Sequence, residues 1–301
     1  MSKSPNFFVV GAPKAGTSAL YEYLSQHPDI YVPARKELHF FSREHAAASY
    51  YRPHLIRDES RYLAHFDDAD AETAVGDFSP SYLYFDNALA RIKKFSSEAK
   101  IIILLRDPTE RTISHYLMDV AKGYQQRPLL DFVTRDAANE AFHFEYITTS
   151  LYSERLKHVG ERFDRDHVLV LLAEELRTDP DTVCKRVFQF LGVDEDAYVD
   201  TTSEHNAFFA FRYGWLKKLR QSPAMFRAYE MLPRGVRRRL RALVQKNDIE
   251  KPDLSSERKR LRILFEPEVS AVSELLGQDL TKRWGYARNG HGEGSELHAR
   301  N

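Results

Sequence analysis

The chain holds one cysteine in 301 residues, Cys184. No intramolecular disulfide can form, and a cytoplasmic protein is the simplest expectation. Cys184 lies in the helical pattern of residues 183–188, Val-Cys-Lys-Arg-Val-Phe, which gives it a packing role rather than a nucleophilic one. Net charge is missing too. The 44 basic and 44 acidic residues cancel, so the overall balance gives no reason to expect a nucleic acid or an anionic membrane as partner, and any basic site must be local. No apolar run approaches the length of a membrane span, and no basic-apolar-small leader opens the sequence, so no integral membrane association is expected. The 12 histidines are scattered without ligand spacing, which leaves no metal site to expect. No internal repeat is present.

What remains is ordinary globular composition, 43% hydrophobic and 29% charged, at a length that suits one large α/β domain or two smaller ones. Residues 7–10 form an apolar run that reads as a buried strand, and a loop with two glycines and a lysine follows before a helix that begins at Thr17. Residues 30–33 are a short extended piece, and 43–70 read as short helices and loops. Residues 74–82 suggest a strand ending in a Ser-Pro turn, and 87–95 a helix. Residues 100–105, Lys-Ile-Ile-Ile-Leu-Leu, are the clearest buried strand. Asp107 then reads as an N-cap, with Pro108 in the first turn and Glu110 closing a capping box. After an excursion over 122–150 come an amphipathic helix at 152–163, a buried strand at 168–172, and a helix at 182–191 stopped by Gly192.

Strands alternating with helices predict an α/β fold, a P-loop-type three-layer sandwich whose central parallel sheet is flanked by helices, with right-handed crossovers. Beyond residue 200 the strand pattern fades, and helices are expected at 214–231, 233–246 and 256–276. The expected organisation is one domain over 1–285, with its core in 6–200 and a helical cap and C-terminal helices in 201–285. The Gly, His, Asn and Ser-rich tail, from about Gly285 and through 286–301, is expected to be disordered.

Three groups of residues carry chemistry. In the loop 11–18, backbone amides and the Thr17 and Ser18 hydroxyls suit a phosphate at a helix N-terminus, with Lys14 as a point charge beside it. The spacing is close to a Walker A loop, but Thr17 stands where the Walker lysine belongs, so the loop is not built for ATP–Mg²⁺. Arg106 ends the strongest strand, where open α/β sheets place ligands, and Ser114 follows about two helical turns later, giving a second anion site. Glu37 and His39, two apart in an extended segment, point to one side and can accept a proton from an attacking hydroxyl. Each group alone also fits a plain structural role: a tight turn, a surface arginine, a solvated Lys36–Glu37 pair. The basic run Arg234, Arg237, Arg238, Arg239, Arg241 and Lys246 reads as a solvated helix face; the alternative is a surface that steers an anionic acceptor or touches lipid headgroups.

Together these constellations resemble the sulfotransferases that use 3′-phosphoadenosine 5′-phosphosulfate (PAPS), most closely the branch with the heparan sulfate enzymes and their bacterial relatives. The loop 11–20 is similar to the family's 5′-phosphosulfate loop, Lys36-Glu37-Leu38-His39-Phe40-Phe41 to the K-E-x-H-F-F signature, and 101–114 to the 3′-phosphate motif. Residues 77–82 echo the Ser/Thr-Pro-x-Tyr segment. The resemblance covers residues 6–195, with weaker echoes to about 285.

It implies that Lys14 contacts the bridging oxygen and 5′-phosphate, and that Ala15, Gly16, Thr17 and Ser18 bind that phosphate. Arg106 and Ser114 would hold the 3′-phosphate, Glu37 would be the general base with His39 beside it, and Arg212 would match a basic residue that closes over the 3′-phosphate. Two departures argue against a heparan-type acceptor: Phe78 replaces a lysine of those enzymes, and a single cysteine excludes their C-terminal disulfide. The expected activity is therefore transfer of a sulfonate from PAPS, leaving 3′-phosphoadenosine 5′-phosphate (PAP), to a hydroxyl of a carbohydrate, glycolipid or small metabolite, with no metal. The alternatives are a P-loop kinase or NTPase and a non-catalytic nucleotide-binding protein. Acceptor identity and oligomeric state are left open by the sequence.

Overall fold

The structure, a computed structural model, describes residues 4–42, 56–202 and 252–286, together with the backbone of 210–211 and 245–246. At its centre is β1 (Phe7–Gly11), five residues that are all buried. Four more strands, β2 (Ile30–Tyr31), β3 (Ala74–Phe78), β4 (Lys100–Leu105) and β5 (Val168–Leu172), join it in a sheet of order β2-β3-β1-β4-β5. Every pairing is parallel, with Phe8 between Asp77 and Ile101 and with Ile101 opposite Val168. An all-parallel sheet covered on its faces demands apolar runs rather than alternation, and β1 and β4 supply them. The fold is of the P-loop α/β type.

Close packing explains two glycines. A Cβ on Gly76 of β3 would lie 2.1 Å from the Phe7 ring, and one on Gly11 would lie 2.6 Å from the Leu83 side chain. β5 departs from the reading as a fully buried strand: Val168, Leu169 and Val170 are half-buried, because β5 is an edge with a neighbour on one side only.

The helices of the described residues are α1 (Thr17–Leu24), α2 (Glu59–Leu63), α3 (Asp86–Phe95), α4 (Pro108–Lys122), α5 (Glu140–Tyr146), α6 (Ser153–Gly160), α7 (Ala173–Thr178), α8 (Pro180–Leu191), α9 (Ser255–Leu276) and α10 (Leu280–Arg283). α8 stops at Gly192, whose φ of 77° is the left-handed conformation that ends a helix cheaply only at glycine. Buried Cys184 packs in α8, and desolvation pushes its thiol up to about 12, which leaves it inert. α9 lies against both α4 and α6.

Three local readings are corrected. Asp107 does cap α4, accepting from the Thr109 amide at 2.9 Å, but Glu110 closes no capping box; it pairs with Arg258 of α9 at 2.6 Å, a tertiary partner outbidding the local one. Gln245 and Lys246 form a strand, β7 (Gln245–Lys246), antiparallel to β6 (Ala210–Phe211), so the helix expected over 233–246 cannot run to its end. Gly285 and Tyr286 do not belong to a disordered tail: Tyr286 is buried and hydrogen-bonded to α4. The helix expected at 214–231, most of the basic run and Arg212 lie outside the described residues.

Candidate active site

The loop leaving β1 is tied down at its start by the Ala12 amide, which donates to the Leu104 carbonyl of β4 at 2.7 Å. It then turns through two left-handed residues, Lys14 at φ 69° and Gly16 at φ 96°. Gly16 is the N-cap of α1 and brings no side chain to cap it. Among the described residues the amides of Gly16, Thr17 and Ser18 donate to no acceptor. An uncapped helix start with open N–H groups and a positive dipole end suits an anion.

Lys14 is half-buried. Its Nζ lies 3.3 Å from the Met118 sulfur of α4, which also takes Lys122 Nζ at 3.1 Å. Burial, reinforced by the charges of Lys122 and Arg106 and opposed by Asp119, pushes Lys14 down to about 8. Asp119, buried beside them and accepting the Tyr146 hydroxyl at 2.6 Å, is itself pushed up to about 7 by desolvation. This cluster beneath the loop is invisible in the sequence, because its members on α4 look like one turn of an ordinary amphipathic helix.

Arg106 stands at the carboxyl end of β4, and its Nη1 donates to the Lys14 carbonyl at 3.1 Å. The arginine thus spans from β4 to the loop on β1. Ser114 sits half-buried on α4, and no hydrogen bond joins it to Arg106 among the described residues.

Glu37 and His39 are brought together, with Glu37 Oε2 at 3.9 Å from His39 Nε2, but not by extended backbone. Both residues are left-handed, with φ of 61° and 54°. Tertiary bonds impose that conformation: the Glu37 amide donates to the Phe78 carbonyl at 2.9 Å and the His39 amide to Ser79 Oγ at 3.2 Å. His39 Nδ1 meets Ser81 Oγ at 2.8 Å, and burial lowers its pKa against the pull of Glu37, so the imidazole is neutral at pH 7.

Beneath them Asp77 is fully enclosed, accepting Ser79 Oγ at 2.7 Å, Tyr82 OH at 2.8 Å and Tyr62 OH at 2.9 Å. Asp77 therefore fixes the serine that fixes His39. Phe78 points the other way, edge-on to Phe7 and Tyr21 in the core.

Lys36, which opens the K-E-x-H-F-F stretch and which the sequence gives no role beyond a solvated pair with Glu37, holds an informative position. Its Nζ donates to Ser18 Oγ at 2.6 Å and lies 3.7 Å from Glu37 Oε1, with the Tyr21 ring below it at 5.9 Å. One ammonium therefore links the anion loop of β1 to the carboxylate held at the end of β3. Its signals in the sequence are adjacency to Glu37 and its place at the head of the K-E-x-H-F-F stretch. Among the described residues no group of His, Cys, Asp or Glu side chains is placed to hold a metal ion, and no helix is long and apolar enough to cross a membrane.

A family model for the sulfotransferase domain matches residues 4–238, well over half of the chain. The chain belongs to the sulfotransferase family. Mouse heparan sulfate glucosamine 3-O-sulfotransferase 3B1 is 31% identical to this sulfotransferase-family chain over 192 residues, covering 63% of it and 46% of the mouse protein. The membrane-associated sulfotransferase kil1 of Dictyostelium discoideum is 34% identical over 112 residues, 37% of this chain and 22% of that one. The chain thus spans about half the length, or less, of these curated relatives. The crystal structure of a sulfotransferase from Alicyclobacillus acidocaldarius superposes with a TM-score of 0.69 at 29% identity, covering 93% of this chain and 98% of that one.

Proposed function

We propose that this member of the family transfers the sulfonate of PAPS to a hydroxyl of a carbohydrate, glycolipid or small metabolite, in the cytoplasm and with Glu37 as general base. The observation that carries the reading is the Lys36 bridge, which sets a half-exposed carboxylate one ammonium away from a loop of open amides. A phosphate group fits that loop, since three unpartnered N–H groups and the Thr17 and Ser18 hydroxyls stand at the start of α1, with Lys14 in the same loop.

Bound PAPS supplies an activated sulfonate: the acceptor oxygen forms the new O–S bond as the bond from sulfur to the 5′-phosphate oxygen breaks. Glu37 takes the proton that the acceptor hydroxyl loses. Neutral His39 orients Glu37 and is itself fixed by Ser81 and Ser79. Ala15, Gly16, Thr17 and Ser18 hold the 5′-phosphate, and Lys14 balances the charge that develops on its leaving oxygen. Lys36, between loop and base, is placed to neutralise the sulfonate in passage. Arg106 and Ser114 hold the 3′-phosphate. A sulfonate carries less charge than a phosphoryl group, so fixed cations and amides are sufficient for this transfer.

The test is thermal shift of the full chain with PAP and with ATP–Mg²⁺, followed by transfer assays on Glu37→Ala and Lys14→Ala. PAP should raise Tm and ATP–Mg²⁺ should not, while each variant should lose about 10²–10⁴ in kcat. Stabilisation by ATP–Mg²⁺ alone refutes the donor assignment in favour of a P-loop kinase or NTPase. Transfer at the wild-type rate by Glu37→Ala removes that residue as base.

A further inference from the structure

We propose that the C-terminal segment from α9 to Tyr286 is a positioning device that fixes Arg106 and so sets preference for a nucleotide bearing a 3′-phosphate. The inference rests on the assignment of Arg106 to that phosphate made above. The segment lies beyond residue 238, where the family match ends.

The dipeptide Arg106-Asp107, between β4 and α4, is held by five residues. The Arg106 carbonyl accepts the Tyr152 hydroxyl at 3.0 Å, and the Asp107 amide donates to Glu174 Oε1 at 3.3 Å. Asp107 Oδ1 accepts the Thr109 amide at 2.9 Å and the Tyr286 hydroxyl at 2.8 Å, and Oδ2 lies 3.6 Å from Arg262 Nη2. The Tyr286 hydroxyl also meets Thr109 Oγ1 at 2.7 Å, closing a ring of hydrogen bonds around the first turn of α4.

α9 supports this turn twice more. The Arg262 guanidinium stacks over the Tyr286 ring at 5.0 Å and donates to the Gly285 carbonyl at 2.5 Å, holding the tyrosine in place. Glu268 accepts the amides of Tyr152 and Ser153, both at 2.6 Å, and so anchors the residue whose hydroxyl holds the Arg106 carbonyl.

Capping a helix does not require this much. Asp179 caps α8 with one backbone acceptance, from the Thr182 amide at 3.1 Å, and α8 is a complete helix of 12 residues. The additional bonds at Asp107 fall on the residue next to Arg106, whose fork already spends one N–H on the Lys14 carbonyl. A guanidinium aimed this way presents its remaining donors in a fixed direction, and a rigid fork discriminates oxyanions by geometry. Fixing the main chain at its base removes the freedom that would blur that direction.

The experiment measures dissociation constants of PAP and 5′-AMP, which differ by the 3′-phosphate, for the full wild-type chain, Tyr286→Phe and Arg262→Gln. Tyr286→Phe keeps the ring under Arg262 and removes only the hydroxyl. Wild type should prefer PAP, and both variants should weaken PAP about tenfold while changing 5′-AMP less than twofold. Equal weakening of both nucleotides shows a general structural role and overturns the proposal. A wild-type preference that survives intact in both variants removes the device alone. Equal affinity of the wild type for the two nucleotides removes the reading of Arg106 on which the device depends.

Discussion

Lys14 shows how one residue's surroundings fix a measurable property of the proposed site. Burial and the cations Lys122 and Arg106 disfavour its charged form and bring it down to about 8. Its protonated form is the one that binds an anionic donor. The free protein therefore holds that form below about pH 8 and loses it as pH rises through that value. Since kcat/KM reports the free enzyme, kcat/KM for PAPS should fall about tenfold per pH unit above the limb. Bound phosphate favours the ammonium, so kcat at saturating PAPS should stay level to higher pH. Lys14→Arg, charged to beyond the accessible range, should remove the limb even if it lowers the plateau. A limb unchanged in Lys14→Arg assigns it to another group.

At the scale of elements, the sheet was legible because burial on both faces writes itself as uninterrupted apolar runs, which is how residues 7–10 and 100–105 read as strands. The start of α4 and the stop at Gly192 were legible because capping is local chemistry. The site was less so. Their spacing of two pairs Glu37 with His39 only on an extended backbone, whereas they meet through left-handed residues held at the end of β3. Glu110 looked like half of a capping box and belongs to α9. Tyr286 looked like tail, since a hydroxyl whose partners lie 177 and 179 residues away leaves no periodicity to read. Glycines carry a similar hidden constraint. On β3, a Cβ at Gly76 would stand 2.1 Å from the ring of Phe7, its register partner on β1. Gly76→Ala must displace the buried Phe7 ring or the strand that carries it, and overpacking of this kind costs about 1–3 kcal/mol. A drop in Tm of several degrees is expected for a domain of this size, roughly 2–4 °C per kcal/mol. An unchanged Tm would mean that Phe7 has somewhere else to go.

For the molecule as a whole, a net charge of zero hides a strong local field. Lys14 and Lys122 share the Met118 sulfur, Arg106 reaches the Lys14 carbonyl, and Lys36 reaches Ser18, so four cations gather around one strand-end loop. The chain's 44 basic residues are balanced by 44 acidic ones, of which Glu37 and Asp119 lie nearest these cations, with Asp77, Asp107 and Glu174 behind them. At low ionic strength the field of such a cluster extends well into solvent, with a Debye length of roughly 30 Å at 0.01 M, and it shrinks to roughly 10 Å at 0.1 M. Donor capture by a highly charged nucleotide should therefore weaken as salt rises, although the chain carries no net charge to screen. Raising NaCl from 0.02 to 0.2 M should increase KM for PAPS by about fivefold or more, with kcat at saturating donor nearly constant. The effect should shrink in Lys36→Met, which takes one cation out of the cluster while leaving the others in place. A KM for PAPS that ignores salt in the wild type would show that Glu37 and Asp119 already cancel the four cations as an approaching anion sees them.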